Sequence, residues 1–400
     1  MNPTSSLKPR ILFLFSDTGG GHRSAAEAII EALELEYPGC FETRMVDFLR
    51  DYAPPPLDKA PEFYPPMARM KDFWKLGYSW SNGPTRAQVI TDVFWPYYRN
   101  AARRMLEENP CDVYVSVHPL GNGTLLRLMG DQHPPFITVV TDLVSTHSFW
   151  YASEADVIVV PTELAKNRGI ENGVKPEKIS VLGLPVAERF CQSSTDRAEL
   201  RSRLGWPTDL PIVLLVSGGD GIGPLAKTAF AIDRCGLKTC LVVVAGRNRK
   251  LKASLEAYPW KIPNRIYGFV REMPDFMKAA DVLVTKAGPG TISEAFIAGL
   301  PMILYNRIPG QEDGNVSYVV NEGAGIWAPQ PEQVVAALQY WFDTPQQREM
   351  MAAASRRLAR PEAARQIARL IAAHAFGNGG KRVSGPPFLA GNSSRKFKDR

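Results

Sequence analysis

The sequence predicts an α/β protein built as two doubly wound parallel domains facing a central cleft. Three observations lead there. The chain has 400 residues, 45% apolar and 22% charged, which is ordinary globular composition but more length than one hydrophobic core serves. Short apolar or β-branched runs alternate with helical patterns in two successive sets, as buried parallel strands with crossover helices do. Glycine-rich turns follow strands of both sets, where open α/β sheets bind their ligands.

The first set of strand-like runs is residues 11–16, 43–47, 113–117, 136–141 and 157–160, and the second is 212–217, 239–245, 265–269, 282–285 and 301–305. A polar stretch ending at Trp206-Pro207 separates them. This organisation gives a first domain over 1–190, a linker over 191–210 and a second domain over 211–376. Residues 332–342, 346–358 and 363–373 read as helices rich in Ala and Arg, able to pack back across the domain junction. Residues 377–400 form a Gly/Ser/Pro-rich tail whose stretch from 381 onward holds six Lys or Arg and one Asp, a composition of disorder. Most of the formal charge of +6 therefore lies outside the fold, and no nucleic-acid partner is expected.

Five scattered cysteines without a C-x-x-C pair read as free thiols of a reducing compartment rather than a zinc or disulfide framework. The basic N-terminus runs into the first strand without the apolar core of a secretory signal. No window approaches the ~20 apolar residues needed to span a bilayer, so any membrane contact is expected to be peripheral and cytoplasmic.

After the first strand comes Ser16-Asp17-Thr18-Gly19-Gly20-Gly21-His22-Arg23-Ser24, then an Ala/Glu/Leu-rich helix from residue 25 to 36. With Asp47 closing the next strand, this imitates a dinucleotide fingerprint, though a tight helix-packing turn explains it equally well. The second set adds two more such turns, residues 217–223 and 286–291. Two domains sharing a cleft account for all three, whereas one dinucleotide-binding domain uses one.

In the third turn, a helix starting near Gly290 and Thr291 presents amides able to hold a diphosphate without metal. Glu294, one turn further, accepts both hydroxyls of a ribose or simply complements the helix dipole. Downstream, Gln311 and Asn315 share a helix face and either bind sugar hydroxyls or cap the helix.

In the first domain, His22 stands at a helix N-terminus, where the positive dipole end keeps an imidazole neutral and able to accept a proton. His118, Asp142 and His147 follow strands and can reach the same cleft, Asp142 to orient His22 or the acceptor, or each as a hydrogen-bonded loop residue. Residues 54–104 break the βα rhythm with ten aromatics and eight Lys/Arg against four Asp/Glu. Aromatics with basic residues suit an anionic bilayer surface, which points to Lys71, Trp74, Lys75 and Trp80. An aromatic subcore is the competing expectation, above all over residues 89–98.

The segment Thr285-Lys-Ala-Gly-Pro-Gly-Thr-Ile-Ser-Glu-Ala-Phe-Ile-Ala-Gly-Leu-Pro-Met-Ile-Leu304, the loop Ile308-Pro-Gly-Gln-Glu-Asp-Gly-Asn-Val-Ser-Tyr-Val-Val320, the turn 16–28 and Thr141-Asp-Leu-x-x-x-His-x-x-Trp150 together resemble monogalactosyldiacylglycerol synthases. The likeness spans roughly residues 8–375. It implies a GT-B fold of two Rossmann-like domains, a UDP-hexose donor held by the second domain, diacylglycerol as acceptor, inversion at the anomeric carbon, and neither a cofactor nor a catalytic metal. Carried over by motif, Glu294 would bind ribose, Gly288, Pro289, Gly290 and Thr291 the phosphates together with the turn at Gly218 and Gly219, Gln311 and Glu312 the sugar, and the backbone at Phe269 and Val270 the uracil. His22 would be the base, with Asp142 beside it. Gly20, Gly21, His118 and His147 would border the acceptor, and anionic lipids would be partners.

Processive glucosyldiacylglycerol synthases are related, so glucose remains the alternative hexose, with Gly-Pro-Gly-Thr-Ile at 288–292 closer to the galactosyl branch. A dinucleotide-dependent oxidoreductase is the remoter enzyme alternative and a non-catalytic membrane-surface binder the non-enzymatic one. Each leaves one of the glycine turns or the paired cleft unexplained.

Overall fold

The computed structural model describes residues 8–18, 20–60, 62–63, 67, 70–192, 196–218 and 223–377, the side chain of Lys71 excepted. Two six-stranded parallel sheets make up its core. The first is ordered β2-β1-β3-β4-β5-β6, from β1 (Arg10–Phe15), β2 (Glu42–Asp47), β3 (Val113–Ser116), β4 (Phe136–Val139), β5 (Val157–Val160) and β6 (Ile179–Val181). The second is ordered β12-β11-β10-β7-β8-β9, from β7 (Ile212–Val216), β8 (Cys240–Val244), β9 (Asn264–Tyr267), β10 (Val282–Lys286), β11 (Met302–Asn306) and β12 (Gly325–Trp327). Inner strands such as β3, β7 and β8 are buried along their whole length, as sheets covered by helices on both faces require.

Seven helices position the site. They are α1 (Gly20–Glu36), α2 (Lys71–Ser81), α3 (Pro84–Glu108), α4 (Asn122–Met129), α5 (Pro289–Ala298), α6 (Asp313–Asn321) and α7 (Ala363–Gly377). The runs read from sequence coincide with strands, and β6 and β12, three residues each at a sheet edge, are additional. Helix α1 starts five residues before its Ala-rich pattern, so Gly20, Gly21 and His22 form its first turn.

The junction between the domains is built by segments far apart in sequence. Leu200 and Trp206, inside the expected linker, lie in the core of the second domain. Helix α7 crosses back instead: Ile367, Ala368 and Ile371 are buried against Ile11, Phe13 and Val115 of the first sheet. Arg365 and Arg369 then pair with Glu36 of α1 at 2.8 and 2.7 Å.

Each sheet has a switch point where successive connections leave in opposite directions, β1/β3 in the first and β7/β10 in the second. Ligands of open α/β sheets bind in the crevice at such points. The strand ends of the two domains face each other across the cleft: Gln311 Nε2 donates to Asp142 Oδ1 (3.4 Å) and the Gly314 amide to Ser145 Oγ (2.7 Å). A Cβ at position 314 would lie 2.5 Å from that Ser145 oxygen, so glycine permits the domains to meet.

Candidate active site

His22 sits at the β1/β3 switch point. Its Nδ1 lies 2.8 Å from the Val117 carbonyl oxygen and 2.8 Å from Thr141 Oγ1. A carbonyl only accepts, so Nδ1 carries the proton and Nε2 keeps its lone pair. The partly exposed ring stands edge-on to His118 (centroids 4.6 Å apart) and 6.1 Å from Trp150. Loss of water around the imidazole pushes its pKa down to about 4, against the opposing effects of the Val117 bond and the Asp17 charge. Burial thus keeps the ring neutral near pH 7, beside the helix end in whose first turn it stands.

His118 is fixed in the other tautomer. Its Nδ1 accepts the Leu120 amide (3.3 Å), which leaves Nε2–H to donate to Thr18 Oγ1 (2.9 Å). Burial and the neighbouring His22 hold it well below the usual histidine range.

Asp142 does not orient His22. Among the described residues its carboxylate accepts from Trp150 Nε1 (2.8 Å) and from Gln311, while Val117 and Thr141 do the orienting. Burial raises Asp142 to about 6, opposed by those two hydrogen bonds. His147 is bound to neighbours other than His22. Its Nδ1 accepts the Phe149 amide (3.2 Å), its Nε2 meets Ser81 Oγ (3.1 Å), and its ring packs on Tyr78. The residue fastens α2 to the first domain, a structural use. Asp47 is equally committed, its oxygens accepting the Asp17 and Arg50 amides, which leaves the dinucleotide reading without its ribose acid.

In the second domain, Gly218 takes φ +77° after β7 and Gly219 lies outside the described residues. Gly288 is the N-cap of α5 and Pro289 its first residue, with no side-chain cap bond. The amides of Gly290 and Thr291 consequently point past the helix end without an intrahelical partner. Glu294, one turn on, is half-buried and makes no hydrogen bond or ion pair among the described residues. Burial lifts its carboxyl to about 7, with Arg189 opposing.

Glu312 departs from the sequence expectation of a sugar ligand. One of its oxygens pairs with Lys286 Nζ and the other accepts the Ile308 amide (2.7 Å), so in this state it braces the loop and holds Lys286. Asn315 is buried and donates to the Ala287 carbonyl (2.9 Å). Gln311 is the loop residue that reaches the cleft.

Phe269 is 59% exposed, and Val270 packs on the second core. The Arg247 guanidinium lies 5.7 Å from the Phe269 ring centroid and reaches the first domain, where a Cβ at Gly20 would be 3.9 Å from it. The sequence assigned no site role to Arg247, nor to Thr141, Trp150 and Lys286, which stand within the motifs quoted above. For Lys286, the available signal was a base ending a strand just ahead of a Gly-Pro-Gly turn. Its side chain passes 3.3 Å from a Cβ built at Gly288 and 3.9 Å from one at Gly218, between the two glycine turns.

The aromatic stretch divides by helix face. On α2, Phe73, Leu76 and Trp80 are exposed (60, 71 and 67%) at i, i+3 and i+7, one stripe. Trp74 lies on the opposite face with Tyr78, half-buried. Lys75 is exposed, and the Lys71 side chain falls outside the described residues. The expected subcore over 89–98 forms only in part, where the rings of Phe94 and Tyr97 meet Tyr98 and Tyr98 meets Phe48. Val89, Val93, Phe94 and Tyr97 are exposed, and Tyr98 packs against the first core.

Replacing Phe73, Leu76 and Trp80 by Ser is therefore expected to reduce sedimentation with anionic vesicles, Trp74→Ser to matter less, and Lys75→Gln to weaken the salt-sensitive part by about 1 kcal/mol. Undiminished sedimentation of the triple variant at low salt would mean that this stripe binds no membrane. Among the described residues no helix is long and apolar enough to cross a bilayer.

Comparison with known proteins agrees with this geometry. The family model "Monogalactosyldiacylglycerol (MGDG) synthase" matches residues 22–186, and "Glycosyltransferase family 28 C-terminal domain" matches 213–367. The chain is 37% identical over 350 residues to probable monogalactosyldiacylglycerol synthase 2 of Oryza sativa subsp. indica, covering 84% of this chain and 74% of that one. It is 36% identical to the monogalactosyldiacylglycerol synthase of Spinacia oleracea, covering 91% and 73%; both relatives are named as chloroplastic. Acinetobacter baumannii MurG superposes with a TM-score of 0.59 at 15% identity, covering 91% of this chain and 99% of that one. At that identity the likeness concerns the fold, which is GT-B.

Proposed function

Since the chain belongs to the monogalactosyldiacylglycerol synthase family, we propose that it is a peripheral membrane galactosyltransferase that moves galactose from UDP-galactose to the hydroxyl of 1,2-diacylglycerol with inversion. The observation that carries the chemistry is the His22 tautomer: a neutral imidazole whose Nδ1 is tied to Val117 and whose Nε2 lone pair is left for a proton.

In this scheme Nε2 takes the proton of the acceptor hydroxyl while its oxygen bonds the anomeric carbon. The bond from that carbon to the β-phosphate oxygen breaks, and UDP leaves with the electron pair. One displacement inverts the anomeric centre. Charge developing on the diphosphate is met by the Gly290 and Thr291 amides at the α5 N-terminus, and by Lys286 when it exchanges Glu312 for phosphate. The Glu294 carboxylate accepts the ribose hydroxyls, Phe269 and Val270 border uracil, and Gln311 lies between sugar and Asp142. Arg247, spanning both domains, closes the cleft over the nucleotide.

The deciding experiment offers purified protein diacylglycerol vesicles with UDP-galactose or UDP-glucose and identifies the glycolipid and its anomer. Exclusive glucosyl product would move the chain to the glucosyl branch, and absence of any lipid-linked hexose would defeat the proposal.

Charge stabilisation by a helix end and a lysine also predicts metal independence. Turnover in excess EDTA is expected to stay within about twofold of the untreated enzyme, a change of well under 1 kcal/mol in the barrier. Loss in EDTA with recovery on adding magnesium or manganese would mean that a cation, not α5 and Lys286, neutralises the diphosphate.

A further inference from the structure

We propose that a cavity of about 600 Å³ in the first domain receives one acyl chain of the glycerolipid acceptor, an inference that rests on the activity proposed above. The cavity lies between α3, α4 and residues 148–154, and its apolar lining includes Leu57, Ile90, Phe94, Tyr98, Leu120 and Phe149. The volume is that of a pocket for a drug-sized ligand, roughly 300–1,000 Å³.

Its walls are shared with the candidate active site. The Leu120 amide bonds His118 (3.3 Å), whose ring is 4.6 Å from that of His22. Phe149 directly precedes Trp150, whose indole holds Asp142 (2.8 Å) and lies 6.1 Å from the His22 ring. Both wall segments, 118–121 and 148–151, thus serve the base on one side and the cavity on the other. A glycerol hydroxyl at His22 would have its ester-linked chains beginning within reach of this space.

The lining favours a chain over a polar ligand because several of its polar groups are already spent inside the protein. Thr91 Oγ1 donates to the Ala87 carbonyl (2.8 Å), Ser148 Oγ to Asn82 (3.0 Å) and Tyr151 OH to the Ala165 carbonyl (2.7 Å), while Arg127 pairs with Asp92 (2.6 Å). A hydrocarbon requires none of them.

Helix α3 also supplies a route. Residues 84, 87, 88, 90, 91, 92, 94 and 98 line the cavity, and the adjacent stripe Val89, Val93 and Tyr97 is 54, 69 and 40% exposed. Phe94 belongs to both, lining the cavity while 45% exposed. The exposed apolar stripe of α3 thus adjoins the apolar part of the cavity wall at Phe94, a path open to a chain leaving a bilayer.

Gly123 of α4 provides the test. It lines the cavity, and a Cβ there meets only Thr91 Cγ2, at 3.7 Å, so Gly123→Leu fills the space while favouring its helix. Ile90→Trp fills it from the opposite wall. Thermal unfolding identifies the folded variants.

Two readouts are compared with the parent. One is the ratio of kcat/KM for dioleoylglycerol over dihexanoylglycerol, and the other is the fluorescence gain of a parinaroyl-chain diacylglycerol on binding. In at least one folded variant the ratio is expected to fall about tenfold or more and the fluorescence gain to disappear. If the parent transfers hexose and both readouts are unchanged in the folded variants, the cavity assignment is overturned while the proposed activity stands. If the parent transfers no hexose but binds the probe in a manner abolished by Gly123→Leu, the acyl site stands and the proposed activity fails.

Discussion

Replacing His22 by alanine is expected to lower turnover by about two to four orders of magnitude, the usual worth of a positioned general base. UDP affinity should change little, because in the proposed scheme the ring serves the acceptor rather than the nucleotide. The acceptor alcohol has no acidity to offer near neutral pH, so the reaction depends on a base with an unprotonated nitrogen. The Val117 carbonyl guarantees one by claiming Nδ1–H.

The pH profile is a second signature. With the imidazole held down to about 4, the rate attributed to its neutral form should persist well below the pKa of a free histidine and decline only as pH approaches 4. The same depression acts on folding with the opposite consequence for robustness. The unfolded chain binds this proton first, so stability is lost as pH falls from about 6.5 toward 4. Retention of more than about a tenth of parental turnover in His22→Ala would exclude it as the base. Asp142, raised to about 6, would be the group to examine next.

Glu294→Ala is expected to weaken UDP binding by roughly 1.5–3 kcal/mol, the range for hydrogen bonds to a charged group, or about 10- to 150-fold in Kd. The free carboxyl titrates near 7 because burial disfavours its charge, and hydroxyl donors from a ribose would stabilise the ionised form. Binding therefore lowers its pKa. Parental affinity for UDP should rise as pH increases through about 7 and fall below it, whereas the Ala variant should lose that dependence. Calorimetric titrations at pH 6 and 8 supply the check. An unchanged Kd, or an equal pH dependence in both proteins, would remove Glu294 from the ribose site.

Much of this architecture is legible in the sequence because buried parallel strands advertise themselves as apolar runs. Residues 113–117 and 212–217 could hardly be anything else. The strands β6 and β12 escaped because three residues at a sheet edge carry no periodicity. The glycine turns were readable from local chemistry.

Their partners were less accessible. Thr141 touches His22 across 119 positions, and the pairing of Lys286 with Glu312 crosses 26. Nothing local assigns such contacts. Composition was half right at residues 89–98: Tyr98 meets the rings of Phe48, Phe94 and Tyr97, whereas Val89, Val93, Phe94 and Tyr97 lie exposed on α3. The division of α2 was present in the spacing of Phe73, Leu76 and Trp80, but composition alone could not separate that stripe from Trp74 and Tyr78 on the other face.

The return of α7 to the first sheet sets an order of events during synthesis. Helix α7 occupies residues 363–377, and its Ile367 and Ile371 complete a core whose other members include Ile11 and Phe13. While the ribosome is still making the second domain, the surface on the first sheet reserved for α7 has no cover. Domains usually mature from the N-terminus as they emerge, at about 5–20 residues per second. Here the N-terminal domain must wait for the second, and a nascent chain released before residue 363 leaves that apolar surface open to chaperones or to a neighbouring chain.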